Sequence, residues 1–492
     1  MSLALALHRH TDQPLYRQIA EQIKDRIGDG RLPAGTQLPT VRSLAVELNV
    51  TRITVQTAYA ELQSGGWIEA TVGRGTFVSE GARAGERMPA RISPLTPAVV
   101  IDDMLQIARV QGIRSLANAS PDAHLFPAEE FWGVLTDLRN DAHALSEYGT
   151  TQGDPELRIE VAGLLRERGL SAMPADILIT NGATQALSLL TEALCRPGDA
   201  VLVERPTYLS FLNILRAQGV QEVGVPLDAE GPDPDALERL ALQVRPRFFY
   251  TIPTFQNPTG LCMSAARRRQ VLEIAERYGF LIVEDDIYAR MSYDGPPPPA
   301  LKADDAGERV IYVSSFSKTL MPGLRVGYMT APDPLLRRVI DLRRASDLCG
   351  PPLLQRAAAE FVRRDGLKRH LRRVLPVYRE RREALLAALH ASMPDEVRWS
   401  TPGGGFCCWI TLPAHSAFDD LYPAALRQGW AFAPGNVFLP QGTHEQSVRI
   451  CFGQQAPATI RSGVEALARL ICARLEAAGD MQARTPDWTP MV

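Results

Sequence analysis

The stretch Ser314-Ser315-Phe316-Ser317-Lys318-Thr319-Leu320-Met321-Pro322-Gly323-Leu324-Arg325-Val326-Gly327 decides how the larger part of this chain is read. A lysine that follows a β-run is ordinarily a surface charge. Here Ser315 stands shortly before Lys318 and Arg325 shortly after it, in a loop bearing Gly and Pro. Hydroxyls and a guanidinium form an anion site, and the amine lies within it. Such a site would hold an anionic cofactor bearing an aldehyde, which the lysine would capture as an imine.

The partners of such an imine stand upstream. Phe280-Leu281-Ile282-Val283 reads as a buried strand, with Glu284-Asp285-Asp286 following at its C-terminal end, where α/β sheets place ligands. A carboxylate against a pyridine nitrogen keeps that nitrogen protonated, so the ring can absorb the electron pair released when an amino acid's Cα–H breaks. Tyr288 and Asn257, the latter in Asn257-Pro258-Thr259-Gly260, can each hydrogen-bond a phenolic oxygen on the ring. Taken singly, Asp285 reads equally as a helix N-cap and Asn-Pro-Thr-Gly as a plain turn. Thr180-Asn181-Gly182-Ala183-Thr184 follows the strand Ile177-Leu178-Ile179 and opens a helix, so the backbone N–H groups of Ala183 and Thr184 would point at a phosphate. Tyr208, after the strand 200–204, could stack on the ring. Arg449, in the strand-like Val448-Arg449-Ile450-Cys451-Phe452, needs an anionic partner if buried, and a substrate carboxylate would supply one.

The front of the chain has another texture. Pro14 opens a helix whose Leu15, Ile19, Ile23 and Ile27 share one face. Thr40 can cap a second helix over 41–48, and Thr51 a third from about 52 to 64. Val55, Ala58, Tyr59 and Leu62 form the buried face of the third. Arg52, Thr54, Gln56 and Thr57 lie opposite, near the N-terminus, where a recognition helix meets bases and phosphates. Two short β-runs, 67–70 and 76–78, flank Gly73-Arg74-Gly75 and predict a hairpin wing with Arg74 at its tip. A small helical cap with an incidental hairpin would account for the same pattern.

Composition narrows the field. With 492 residues, 45% hydrophobic and 22% charged, the chain predicts several soluble domains. It shows no apolar run long enough to span a bilayer, and the opening Ser2–Leu7 is shorter than a signal-peptide core, so the expected compartment is the cytoplasm. The net charge of −3 argues against a nucleic-acid coat protein; within the first 80 residues eight basic side chains balance eight acidic ones, so DNA binding would rest on a local arrangement. The seven cysteines form no CxxC pair and read as buried free thiols; the histidines show no metal-ligand spacing, and GxGxxG after an early strand is missing. Texture divides the chain into 12–80, a linker at 81–113 with one helical stretch over 101–109, an alternating α/β region at 114–478, and a frayed tail at 479–492. The four prolines at 296–299 read as a stiff surface loop with no necessary function.

Leu15-Tyr16-Arg17-Gln18-Ile19, Gly35-Thr36-Gln37-Leu38-Pro39-Thr40-Val41-Arg42-Ser43-Leu44-Ala45, Thr51-Arg52-Ile53-Thr54-Val55 and Gly73-Arg74-Gly75-Thr76-Phe77-Val78 together resemble the GntR family of winged-helix regulators. That resemblance implies DNA contacts from Arg42, Arg52, Thr54 and the wing around Arg74. Thr51 stands where serine is usual and keeps the capping hydroxyl. The motifs of 114–478 resemble class I and II aminotransferases of fold type I, an α/β fold with large and small subdomains. This implies pyridoxal 5'-phosphate on Lys318, Asp285 at its ring nitrogen, Asn257 and Tyr288 at its ring oxygen, and Tyr208 stacked upon it. It also implies that Ala183, Thr184, Ser315 and Arg325 hold phosphate, that Arg449 clamps an α-carboxylate, and that Tyr148 reaches a neighbouring subunit's phosphate. The combination resembles the MocR subgroup of GntR-type regulators. It implies a head-to-tail, domain-swapped homodimer that binds double-stranded operator DNA and senses an amino acid or amine by exchange at Lys318. An aminotransferase carrying a DNA-binding appendage, and a DNA binder on an inactive scaffold, are the competing readings.

Overall fold

The computed structural model describes Leu5 and residues 15–28, 31–48, 50–64, 67–71, 75–79, 112–413, 418 and 420–484. The chain divides into two compact units, 1–95 and 96–492. The helical stretch expected over 101–109 and the tip of the wing, Arg74, lie outside the described residues.

In the first unit the helices Leu15–Gly28, Val41–Glu47 and Arg52–Ser64 enclose a core built from Ile19, Ile23, Ile27, Leu44, Val55, Tyr59 and Leu62. The caps form as expected. Thr40 Oγ1 accepts from the Ser43 N–H at 3.1 Å, and Thr51 Oγ1 accepts from the Thr54 N–H at 3.2 Å. The strands Ile68–Thr71 and Gly75–Val78 pair antiparallel, Ile68 opposite Val78. A third extended segment joins them: Leu38 N–H donates to Thr76 O at 2.8 Å, and Val78 N–H to Thr36 O at 2.9 Å. The segment at 36–38 lacks the apolar alternation that marks strands, so the sequence pattern did not reveal it.

The second unit is organised by an eight-stranded sheet. From one edge its order is Ile177–Thr180, Gly327–Thr330, Val310–Ser315, Leu281–Asp285, Phe248–Thr251, Ala200–Arg205, Gln221–Asp228 and Gly231–Pro232. The five strands from Val310–Ser315 to Gln221–Asp228 are mutually parallel. Their apolar runs, such as Val201-Leu202-Val203 and Phe248-Phe249-Tyr250, are buried on both faces, as a helix-covered sheet requires. Gly327–Thr330 runs antiparallel between Val310–Ser315 and Ile177–Thr180, in a register that sets Gly327 opposite both Ser315 and Thr180. A smaller four-stranded sheet holds Arg398–Trp399, Cys407–Thr411, Ser447–Cys451 and Ala433–Pro434. The long helices Gly366–Ser392 and Pro457–Arg484 pack on one another.

Three expectations change. Glu284 and Asp285 lie within the strand rather than after it, because Glu284 aligns with Thr251 and Asp285 with Val313 in the parallel ladder. The tail is not frayed from 479, since the last helix continues to Arg484. The proline loop has a structural role: Pro298 O accepts from Arg168 and Pro299 O from Arg268. Among the described residues no helix is long and apolar enough to cross a membrane.

Candidate functional site

Parallel strands present their C-terminal ends together, and the site grows there. The helix Ala183–Leu194 starts directly after Gly182, whose φ of 81° lies in the left-handed region that favours glycine. No side chain caps this helix, so the first-turn N–H groups of Ala183 and Thr184 keep the partial positive charge of a helix start. Arg325 lies against the same turn: its Nη2 donates to Asn181 O at 2.9 Å, and a Cβ on Gly182 would fall 2.8 Å from that guanidinium. Ser315 Oγ accepts from the Ser317 N–H at 3.1 Å, donates to Val326 O at 3.0 Å and lies 2.9 Å from Ser317 Oγ. The register brings these hydroxyls, the guanidinium and the helix start to one corner, with Ala183 N only 2.8 Å from where a Gly327 Cβ would sit.

Lys318 follows this corner. Its Nζ donates to Ala119 O at 2.6 Å and stands 5.9 Å from the centroid of the Tyr288 ring. Burial lowers the ammonium to about 8, so about a tenth of the amine is neutral at pH 7. Asp285 is fully buried. Its Oδ2 accepts from Tyr250 OH at 2.8 Å, while its Oδ1 has no partner. Burial lifts this carboxyl to about 7, with the Tyr250 hydrogen bond opposing the rise. The Tyr288 hydroxyl is likewise buried and without a partner. Unsatisfied buried polar atoms are costly, and each of these marks a place where an incoming group gains a hydrogen bond.

Arg449 lies on Ser447–Cys451, only 5% exposed. It donates from Nη1 to Asn257 Oδ1 at 2.8 Å and from Nη2 to Ala117 O at 2.5 Å, and stacks 4.4 Å above the Phe438 ring. These acceptors are neutral, so the guanidinium has hydrogen bonds without an opposing carboxylate among them. Tyr208 immediately precedes the helix Leu209–Ala217 and retains partial exposure. Tyr148 is 87% exposed, so its own chain does not bury it in this site.

In the first unit Arg52 and Gln56 are exposed on the third helix, and Arg42 lies on the second. Thr54 is partly buried, its hydroxyl 2.8 Å from that of Thr51, so it also serves the cap. The third helix is fixed to the start of the second by Tyr59 OH, which donates to Pro39 O at 2.7 Å.

Several contributors escaped the sequence reading. Tyr250 supports Asp285 from the adjacent strand; Ala119 O holds Lys318; and Glu204, held by Thr251 Oγ1 at 2.5 Å and Gln256 Nε2 at 3.0 Å, braces the loop leading to Asn257. Tyr250 and Glu204 sit inside apolar strands and look like core or strand ends; only the strand register, Tyr250 one strand over from Asp285, could have found the first. The cysteines also differ from expectation: all seven thiols are free, but only Cys407, Cys408 and Cys451 are buried. The assembled donors fit a phosphorylated pyridine aldehyde. A cationic corner suits its phosphate, an unpaired buried carboxylate its ring nitrogen, an unpartnered hydroxyl its ring oxygen, and a partly neutral amine its aldehyde.

Comparison with known proteins agrees with both units. Residues 117–467 match the family Aminotransferase class I and II, and residues 15–78 match Bacterial regulatory proteins, gntR family. The chain is 35% identical over 379 residues to aromatic-amino-acid aminotransferase 1 of Thermococcus litoralis, covering 75% of this chain and 91% of that one. It is 30% identical over 474 residues to the uncharacterized HTH-type transcriptional regulator YdfD of Bacillus subtilis, covering 93% and 96%. Among solved structures it is similar to the alpha-aminoadipate aminotransferase LysN of Thermus thermophilus, complexed with N-(5'-phosphopyridoxyl)-L-leucine. The TM-score is 0.72 at 35% identity, covering 78% of this chain and 96% of that one.

Proposed function

The chain belongs to the class I and II aminotransferase family and carries a gntR-family regulatory domain at its front, and on that premise we propose a DNA-binding transcription regulator that uses the aminotransferase-like unit as a sensor of amines or amino acids. The observation that carries this reading is the joining of both matched regions in one chain, as in relatives of nearly the same extent that are named transcriptional regulators. In this reading Lys318 holds pyridoxal 5'-phosphate and the third helix of the first unit meets double-stranded operator DNA.

When bound, the cofactor supplies an aldehyde that condenses reversibly with primary amines and a ring that absorbs electron density. The chain's own residues set the rest. Ser315, Arg325 and the N–H groups of Ala183 and Thr184 anchor phosphate and fix orientation. Asp285, lacking a hydrogen-bonded cation of its own, keeps a proton on the ring nitrogen. Asn257 and Tyr288 hold the ring oxygen, and Tyr208 covers one face. Lys318, brought down to about 8, accepts or returns a proton near neutral pH. Arg449 binds an effector carboxylate through charge not already neutralised by a carboxylate.

The sensor and reader are coupled only if the liganded and unliganded states differ in DNA affinity. A homodimer, with Tyr148 of each chain reaching the other's phosphate site, agrees with the 87% exposure of that ring. Operator affinity of the full chain, measured with cofactor, without it, and in Lys318→Ala, tests the reading. Identical affinity in all three would remove the sensing role. The completeness of the Lys318, Asp285 and Arg449 set favours one further possibility, an active transaminase bearing a reader. Sustained conversion of an amino acid and a 2-oxo acid, near about 10 per second, would establish that instead.

A further inference from the structure

Beneath the Arg449 clamp two cysteines face each other across paired strands. Cys407 and Cys451 are directly opposite in the antiparallel ladder, with Sγ atoms 3.8 Å apart and both side chains buried. Phe452 N–H donates to Phe406 O at 3.1 Å. A bond from the residue after Cys451 to the residue before Cys407 marks the two cysteines as a non-hydrogen-bonded pair. In such pairs the Cα atoms approach to about 4.5 Å, within the range that a disulfide bridges.

We propose that Cys407 and Cys451 are a reversible thiol–disulfide site, oxidised by hydroperoxides, that controls the carboxylate clamp. The second half of this statement rests on the effector reading given above; the first does not. Burial pushes the Cys451 thiol up, but the Cys407 hydrogen bond and the Arg449 and Lys318 charges outweigh it and bring it down to about 7. That environment favours a thiolate. The Cys451 thiolate attacks the peroxide oxygen, breaking the O–O bond; the departing hydroxide takes a proton and leaves as water. The Cys407 thiol, giving up its proton, attacks the sulfenic sulfur so formed and breaks its S–O bond. A second water leaves, and the S–S bond forms. Two sulfurs together lose two electrons, and one peroxide is reduced to two waters. A thiol reductant reverses the reaction by exchange.

The consequence for the clamp follows from strand geometry. Residues two apart on a strand point to the same face, so Cys451 shares its face with Arg449, and Cys407 lies beside both. Cys407 Sγ rests 3.6 Å from Asn257 Oδ1, the same oxygen that accepts from Arg449. Bond formation draws the sulfurs from 3.8 Å to about 2.05 Å. Cys407 thereby leaves Asn257, and the strand pair tightens beneath the guanidinium. Cys408, next in sequence but on the other face, is held by Ser400 O at 3.2 Å and takes no part.

The test treats the full chain with one to a few equivalents of hydrogen peroxide, alkylates remaining thiols after denaturation, and maps peptides by mass. A cross-linked pair containing Cys407 and Cys451, abolished by Cys451→Ser and by Cys407→Ser, retained in Cys408→Ser and reversed by dithiothreitol, is the expected result. Recovery of both cysteines as separately alkylated or sulfonic peptides, or a cross-link to another cysteine, overturns the site. This mapping needs neither cofactor nor effector, so it stands even if the sensing role fails. For the control function, affinity for an amino acid is compared between reduced and oxidised chain by the cofactor's absorbance. Tightening on the order of tenfold is expected, because the disulfide removes the Cys451 thiolate that partly neutralises Arg449 and so frees that charge for a carboxylate, and equal or weaker affinity in the oxidised state overturns it.

Discussion

Replacing Asp285 by asparagine separates what this carboxylate costs the fold from what it does for the cofactor. Burial lifts its carboxyl from an ordinary 3.8 to about 7, against the lowering effect of the Tyr250 hydrogen bond. That rise corresponds to roughly 4 kcal/mol. The folded chain binds this proton more tightly than the unfolded one, so the group's contribution to stability is highest below pH about 4 and declines as pH climbs to about 7. At pH 8 the cofactor-free fold carries the whole cost of a buried charge with no hydrogen-bonded cation. An asparagine of the same shape keeps an acceptor for Tyr250 and carries no charge. Cofactor-free Asp285→Asn should therefore melt above cofactor-free wild type at pH 8, by up to about 5 °C for a unit of roughly 400 residues, and the gap should narrow at pH 5. Pyridoxal phosphate reverses the order at pH 8, because the protonated ring nitrogen pairs with the carboxylate and not with the amide. Calorimetry of stripped and loaded proteins at both pH values reads all of these differences. If the two stripped proteins melt together at pH 8, the idea that the fold holds an unpaired charge in readiness for a cation is refuted.

Other substitutions probe separate parts. Tyr288→Phe removes a buried hydroxyl that has no partner, so the stripped chain should be unchanged or gain about 1 kcal/mol in thermal unfolding, while cofactor affinity measured by absorbance falls about tenfold. Thr51→Ala, which deletes the acceptor for the Thr54 N–H, should cost the reader about 1 kcal/mol by thermal melting and weaken operator binding. Arg52→Ala, at an exposed position, should leave the melting temperature alone yet lower DNA affinity and flatten the slope of log K against log salt by about one. Gly260→Ala forces a Cβ to 2.4 Å from Cys407 O at a φ of 72°, and should cost more than about 2 kcal/mol by denaturant titration.

Legibility followed the range of the interactions. The reader's helices and caps were visible because they depend on neighbours three and four residues apart: Thr40, Thr51 and the stripe Val55, Ala58, Tyr59 and Leu62 carry their own explanation. The pairing of 36–38 with Gly75–Val78 depends on residues far apart in sequence, and its short segment has no apolar rhythm. In the larger unit the lysine, serine and arginine of one loop could be read together, because that loop folds back onto itself at Ser315 and Gly327. Tyr250 and Glu204 could not, since a tyrosine or glutamate at the end of an apolar strand has the same local pattern whether it supports a site or merely ends a core. The surroundings of Arg449 are likewise set by distant residues: its guanidinium donates to an amide and a carbonyl, a fact invisible in Val448-Arg449-Ile450.

The run Glu284-Asp285-Asp286 shows how a site is told from a scaffold when three buried acids stand side by side. Glu284 accepts from two backbone N–H groups, Leu301 at 2.6 Å and Lys302 at 2.9 Å, and so ties the strand to the segment after the proline loop. Asp286 meets a guanidinium, Arg168 at 2.9 Å, and the Tyr312 hydroxyl at 2.8 Å. Its remaining oxygen belongs to a residue lining a cavity of about 10 Å³, a size that accepts a single water. Asp285 and Asp286 each keep a tyrosine hydroxyl and one unpartnered oxygen, but where Asp286 has Arg168, Asp285 has no hydrogen-bonded cation. A buried carboxylate in that condition is a net cost to the fold unless something positive arrives. An acid paired with a cation or with backbone N–H groups stabilises its own surroundings, while one without either is stabilised by an incoming cation. By that criterion the middle acid is the one of the three left open to an incoming cation, a division that composition and spacing could not make.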